Sequence, residues 1–151
     1  VLAFSLDNLD TISASLGYEV APEAIRCMGA YIDKHFGVLG GFSTRQSTNE
    51  FVTVLPNADL AEVQGILDGF TKDFQQQGFR DIQTAVSQRA VSVECVEFVI
   101  LVGLAKGQPG VELESIITLA KNHYKEIARF SCDAGSIRLA RSFPNQNSLY
   151  S

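Results

Sequence analysis

The side chains with most chemistry to offer fall in two short polar stretches. Asp7, Asn8 and Asp10 follow an apolar run, and Arg45, Ser47, Thr48, Asn49 and Glu50 lie in RQSTNEF, between the Gly-rich GGFST and the strand-forming FVTVLP. Carboxylates such as Asp7 and Glu50 suit a hard cation, because Mg²⁺ is usually held by one or two carboxylates together with phosphate oxygens. Asp7, Asp10, Glu19 and Glu23 make the same segment acidic, and a solvated acidic face is the plainer reading. Asp7 and Asn8 also suit turn and helix capping after a strand. Arg45 is expected to pair with a nearby carboxylate such as Glu50. Glu50 itself is read either as a residual ligand or as a solvated hairpin carboxylate. His35 and His123 have no nucleophile or base constellation around them and are read as solvated helix positions. Cys27, Cys95 and Cys132 are far apart and odd in number, without CxxC or Cys/His zinc spacing. They read as buried or idle thiols in a reducing cytosol.

Composition narrows the classes. The 151 residues fit one domain, 46% are hydrophobic and 19% charged, and the net charge is −5. A chain of this length buries roughly two-thirds of its unfolded surface, so no staple is required. The acidic balance argues against a broad nucleic-acid surface, which needs clustered Lys and Arg. No basic amphipathic helix or long apolar run points to a membrane. The chain opens directly on VLAFSL with no leader, and the expectation is a cytoplasmic domain from a longer protein.

These residues must be positioned by the elements around them. VLAFSL reads as a strand covered on both faces. DNLDTISASLGYEV is turn-rich with a short helical piece. A helix begins near Pro22, carries Ile25, Met28, Ile32 and Phe36 on one face, and stops at Gly37. VLGGFST and Glu50 to Leu55 read as two strands joined through STRQSTN. A helix follows from about Asp59 to Gln77, its core face Leu60, Val63, Leu67, Phe70 and Phe74, ended by Gly78. Residues 79–95 read as a short helix and then a strand. EFVILVGLA is a strand, KGQPG a loop, and the last helix runs from about Val111 to Arg129, with Tyr124 and Ile127 facing inward. The domain spans 1–141, and 142–151 read as a loose tail. The order suits an α+β fold with helices packed on a mixed sheet.

Three strings then converge. FSLDNLDTISASLGYEVAPEAI resembles the pattern DLDNFKxINDxxGHxxGDxxL, keeping Asp7, Asn8 and Gly17; RQSTNEFVTVLP resembles RxGGDEFxxLLP, keeping Arg45, Glu50, Phe51, Leu55 and Pro56; FVILVGLA resembles VTxSIGIA, with Gly103 in register. Together they resemble the GGDEF family, the diguanylate cyclase domains that join two GTP molecules into cyclic di-GMP. The resemblance spans residues 1 to about 130. It implies a palm-like domain with a central, mostly antiparallel sheet flanked by helices, and with the signature on a β-hairpin.

The resemblance also implies lost function. The family's two metal carboxylates fall at Ser5 and Asn49, its two signature glycines at Ser47 and Thr48, and its guanine contacts at Ser13 and Pro22. Neutral oxygens are poorer partners for a hard dication, and β-branched Thr48 disfavours positive φ, so a different hairpin or a bulkier pocket floor is expected. The phosphate lysine falls at Asp10. The late family lysine falls at Ala128, with Lys125 or Arg129 as substitutes. The product-inhibition tetrapeptide RxxD is Leu39-Gly40-Gly41-Phe42, without either charge. Each lost charge-assisted contact costs roughly 1.5–3 kcal/mol. The expectation is a catalytically inactive domain without metal or cofactor, in a bacterial signalling protein. Its partners would be neighbouring domains or a second copy. The alternative is a non-catalytic sensor of GTP or cyclic di-GMP in the vestigial pocket of Ser5, Asp7, Asn8, Ser13, Pro22, Asn49 and Glu50.

Overall fold

The computed structural model describes residues 1–89 and 95–133. The strands are β1 (Leu2–Asp7), β2 (Phe42–Arg45), β3 (Glu50–Val54), β4 (Cys95–Leu104) and β5 (Lys125–Asp133). The α-helices are α1 (Leu9–Leu16), α2 (Val20–Phe36), α3 (Leu60–Asp73), α4 (Phe79–Arg89) and α5 (Leu113–Lys121). The fold is α+β. Its sheet has the order β2-β3-β1-β4-β5, and every adjacent pair is antiparallel.

Alternation along β1 sets the two faces of the sheet. Leu2, Phe4 and Leu6 point into the main core, beneath α1, α2, α3 and α4. There Phe4 meets Phe36 and Phe70 edge-on at 5.5 and 5.3 Å, the geometry favoured by the ring quadrupoles. Ala3, Ser5 and Asp7 face the other way. That second face is covered in part by α5, which lies over Gly103 so closely that a Cβ there would overlap the Ala120 carbonyl oxygen. Ala120 and Ile116 are the buried residues of α5.

Several boundaries differ from the sequence reading. Val38 and Leu39 do not extend β2. They form a tight turn after α2, closed by Gly40 in the left-handed region at φ 71°, where glycine carries no steric penalty. Gly78 does not end a helix. The chain widens into an i→i+5 turn over Phe74–Gly78 and continues into α4, with Gly78 buried against the Phe74 ring. Leu60 was assigned to the core but is 69% exposed. It is the first residue of α3, and it lies beside the groove at the end of the sheet.

The largest correction concerns the last helix. α5 ends at Lys121, and residues from Lys125 form an edge strand paired to β4. Ile116, Ala120, Tyr124 and Ile127 fit a helical stripe by spacing alone. In the fold, β4 offers an unfilled row of backbone donors and acceptors, which β5 satisfies. The ladder shifts register between Ile100 and Leu101, which leaves Ile127 as the extra residue of a bulge. The proposed tail 142–151, residues 90–94 of the segment read as a short helix and then a strand, and the side chains of Cys95 and Cys132 lie outside the described residues.

Candidate functional site

The signature segment forms the loop between β2 and β3, as the sequence reading placed it. Gln46 N donates to Glu50 O at 2.8 Å, closing the hairpin. No residue from 46 to 49 takes positive φ, which is what Thr48 in a glycine's place demands. Arg45 does not pair with Glu50. Its Nε donates to Ser47 O at 3.0 Å and its Nη2 to Thr48 O at 2.8 Å, so the guanidinium ties down the loop's own carbonyls. Ser47 Oγ lies 3.2 Å from Asn49 Oδ1 and 3.0 Å from Glu50 Oε1.

Ser5 and Asn49 meet across β1 and β3. Asn49 Nδ2 donates to Leu6 O at 3.2 Å and reaches Ser5 Oγ at 3.4 Å, while Leu6 N donates to Asn49 O at 3.0 Å. Leu6 O can only accept, and Oδ1 faces the Ser47 hydroxyl, so the network fixes the orientation of the amide. Ser5 is buried. An amide N–H therefore occupies the space between the two side chains, and a cation there would face a donor.

Glu50 stands beside this pair, opposite Ser5 in the β1–β3 register. It is not a solvated carboxylate. Tyr124 donates its hydroxyl to Oε2 at 2.9 Å, and Lys121 Nζ lies 3.5 Å from Oε1. Burial pushes the Glu50 carboxyl up, but the hydrogen bonds from Tyr124 and Ser47 and the Lys121 charge outweigh it and hold it below its ordinary value. Burial and the bond to Glu50 raise the Tyr124 phenol. The cation that reaches Glu50 from the late segment is thus Lys121, not Lys125 or Arg129. Arg129 pairs instead with Glu126 on β5 and Glu97 on β4, and Ala128 is buried.

Asp7 is exposed at the end of β1. Asn8 precedes α1 at φ 51° but makes no side-chain cap. Its Nδ2 donates to Glu97 O at 2.6 Å, and its Oδ1 is buried without a hydrogen-bond partner among the described residues. Ser13 and Pro22 come together with Arg45 and Thr48 around a groove of about 450 Å³, between α1, the start of α2 and the hairpin. Asp10 lies on its rim, and Leu9, Ala14, Ala21 and Ile25 supply apolar wall. The fold thus gathers the sequence-nominated residues into two adjacent places. One is the polar knot of Ser5, Asn49, Glu50 and Ser47, and the other is the groove with Ser13 and Pro22. Asp7 and Asn8 join neither lining.

His35 and Glu23 are committed elsewhere. His35 is not solvated: Nε2 is 2.8 Å from Asp73 Oδ2, which Lys34 also reaches at 2.8 Å. Glu23 pairs with Arg26 at 2.8 Å. Cys27 is half-buried, and burial pushes its thiol up to about 11, which removes thiolate reactivity at neutral pH. Among the described residues, no three His, Cys, Asp or Glu side chains converge to hold a metal, and no helix is long and apolar enough to cross a membrane. Sequence reasoning missed Lys121 and Tyr124 as site residues. They lie 71 and 74 positions from Glu50, and no local spacing announces them. Compared with known proteins, the chain matches no family model and no curated protein.

Proposed function

We propose that this chain is a degenerate GGDEF-like domain of the palm-like class, without cyclase activity, that serves as a regulatory or protein-interaction module within a larger bacterial signalling protein. The observation that carries the reading is the Ser5–Asn49 contact. The two positions that the resemblance gives to metal carboxylates are neighbours in space, and they satisfy each other with an amide donor at 3.4 Å. Glu50, the surviving signature acid, is occupied by Tyr124, Ser47 and Lys121. A triphosphate carries its negative charge to a place without metal carboxylates, where the Arg45 guanidinium is tied to the loop carbonyls of Ser47 and Thr48. Lys121 is already paired, and Asp10 stands where the family has a lysine.

The test is calorimetry of this chain with GTP and with cyclic di-GMP, each with and without Mg²⁺. No heat with either ligand is the expected result. Micromolar GTP binding would sink the inert-module reading. A second experiment tests the resemblance itself. The double substitution Ser5→Asp with Asn49→Asp restores two carboxylates at contact distance and is expected to bind Mn²⁺, followed by the loss of its free-ion paramagnetic signal. A folded double variant that leaves the signal unchanged would count against these positions being a former metal pair.

A second reading rests on the groove. Its volume of about 450 Å³ falls within the range of small-molecule sites, and Ser13 and Pro22 line it beside the hairpin. A non-catalytic nucleotide sensor would use this space, and micromolar GTP binding that is lost on filling it with Ala14→Trp would establish that reading over the first.

A further inference from the structure

We propose that β2 pairs with the β2 of a second copy of this chain, antiparallel about a two-fold axis at Ser43, so that two five-stranded sheets become one. The second copy is then the partner of the interaction module proposed above, and the assignment rests on that reading.

β2 and β5 are the two edges of the sheet, and the sequence treats them differently. An edge strand is a template for another chain, and proteins blunt it with charges, proline or bulges. β5 carries Lys125, Glu126 and Arg129, and its ladder has a bulge. β2, with the sequence FSTR, has neither proline nor bulge. Its one charge, Arg45, is turned onto the carbonyls of Ser47 and Thr48. The chain has a net charge of −5, yet no acid lies between Asp33 and Glu50. Two copies can therefore meet along this stretch without setting its carboxylates against each other.

The direction of the free hydrogen bonds decides how the copies meet. Gln46 N donates to Glu50 O across the hairpin, so by the alternation of an antiparallel pair Phe42 and Thr44 also bond toward β3. The N–H and C=O of Ser43 and Arg45 point off the edge. Centring the two copies on Ser43 makes the two Ser43 residues a hydrogen-bonded pair. It also sets Arg45 against Gly41 of the second copy, the residue with no side chain. Phe42 then lies opposite Thr44 of the second copy. Both stand on the face that α5 covers in part, since Thr44, Val52 and Ala3 are successive partners. Phe42 is 60% exposed there. It has Val54 on one side and no strand on the other among the described residues. Thr44 of the second copy fills that side as a cross-strand neighbour. Segments this short bury less than the roughly 1,200 Å² of a stable complex, so the dimer is weak.

The test is sedimentation equilibrium of the whole 151-residue chain from about 10 μM to about 2 mM, with isotope-filtered NMR on a mixed labelled sample. A monomer–dimer equilibrium with a sub-millimolar Kd is expected. An intermolecular NOE should join Phe42 Hα and Thr44 Hα, which approach closely in a non-hydrogen-bonded pair. Two variants bear on the edge. Ser43→Pro deletes an N–H that β3 does not use, and Thr44→Lys adds a charge at an exposed position. Each should weaken the dimer about tenfold or more. Should Ser43→Pro not fold, Thr44→Lys carries the test. A chain that stays monomeric at the highest concentration overturns the pairing. So does a dimer without that NOE, or one that folded Thr44→Lys leaves as tight as the parent. A monomer that also gives no heat with GTP overturns the pairing alone and leaves the inert-module reading standing.

Discussion

Glu50 shows how one residue's chemistry is decided by neighbours distant in the chain. Read locally, it is an acid at a hairpin. In the fold it accepts from Tyr124, Ser47 and Lys121, and its carboxyl is held below the ordinary value. A carboxylate with a lowered folded pKa contributes stability that is whole above the unfolded value of about 4.3. The contribution is lost as pH falls through the folded value. Tyr124→Phe should therefore destabilise the protein by about 1.5 kcal/mol at neutral pH. The difference from the parent should shrink toward zero in urea melts repeated between pH 5 and pH 3. Asp73 has the same sign, its carboxyl lowered by Lys34 and then His35. Asp73→Asn should likewise matter at pH 6 and cease to matter at strongly acid pH, and its effect should be smaller, because Lys34 is largely exposed. The part of the site that was legible in the sequence was the part carried by near neighbours: the hairpin, with Ser47 and Thr48 in place of glycines. The Arg45–Glu50 pair was misread for want of knowing that the loop carbonyls face the guanidinium.

At the scale of elements, α5 and β4 are held by a glycine. Gly103 has the Ala120 carbonyl oxygen where a Cβ would stand, and that neighbour is backbone, so it cannot rotate away. Gly103→Ala should cost about 3 kcal/mol, measured by chemical denaturation. It should also loosen the Lys121 and Tyr124 contacts to Glu50, seen as a fall in the Tyr124 phenol pKa. The elements read best from sequence were those with one unbroken period. β1, α2 and β3 follow from VLAFSL, from the Ile25–Phe36 stripe and from EFVTV. The failures share a cause. Ile116, Ala120, Tyr124 and Ile127 satisfy a helix period, while KEIARF also satisfies a strand. The arbiter was the open edge of β4, which no local window contains. Gly78 reads as a stop because glycine usually follows a helix, whereas here its missing side chain makes room for the Phe74 ring.

At the scale of the whole molecule, the two sides of the sheet are unequal. One carries a core of Phe4, Phe36, Phe70 and Phe74 under four helices, and the other is covered in part by the single α5. Both sides share the strands β1 and β4, so they should unfold together. Far-ultraviolet circular dichroism and tyrosine fluorescence, which sees Tyr31 on the helical side and Tyr124 on the other, should report one coincident urea transition. Two separated transitions would mean that α5 and β5 form an independent unit. The α+β class was accessible from the order of periods along the chain. The antiparallel order β2-β3-β1-β4-β5 was not, because no window of sequence states which strand lies beside which.

The central place of β1 has a consequence for how the chain is made. Its six residues are made well before one of its two partners, which begins only at Cys95. Until then, one row of its backbone donors and acceptors has nothing to bind, on a strand four of whose six side chains are apolar. Such non-local closure is slow, and an unfilled apolar edge is the kind of surface on which chains associate. Fragments ending before β4 should therefore be the aggregation-prone species on the ribosome, with the arrival of β4 shielding the open edge of β1.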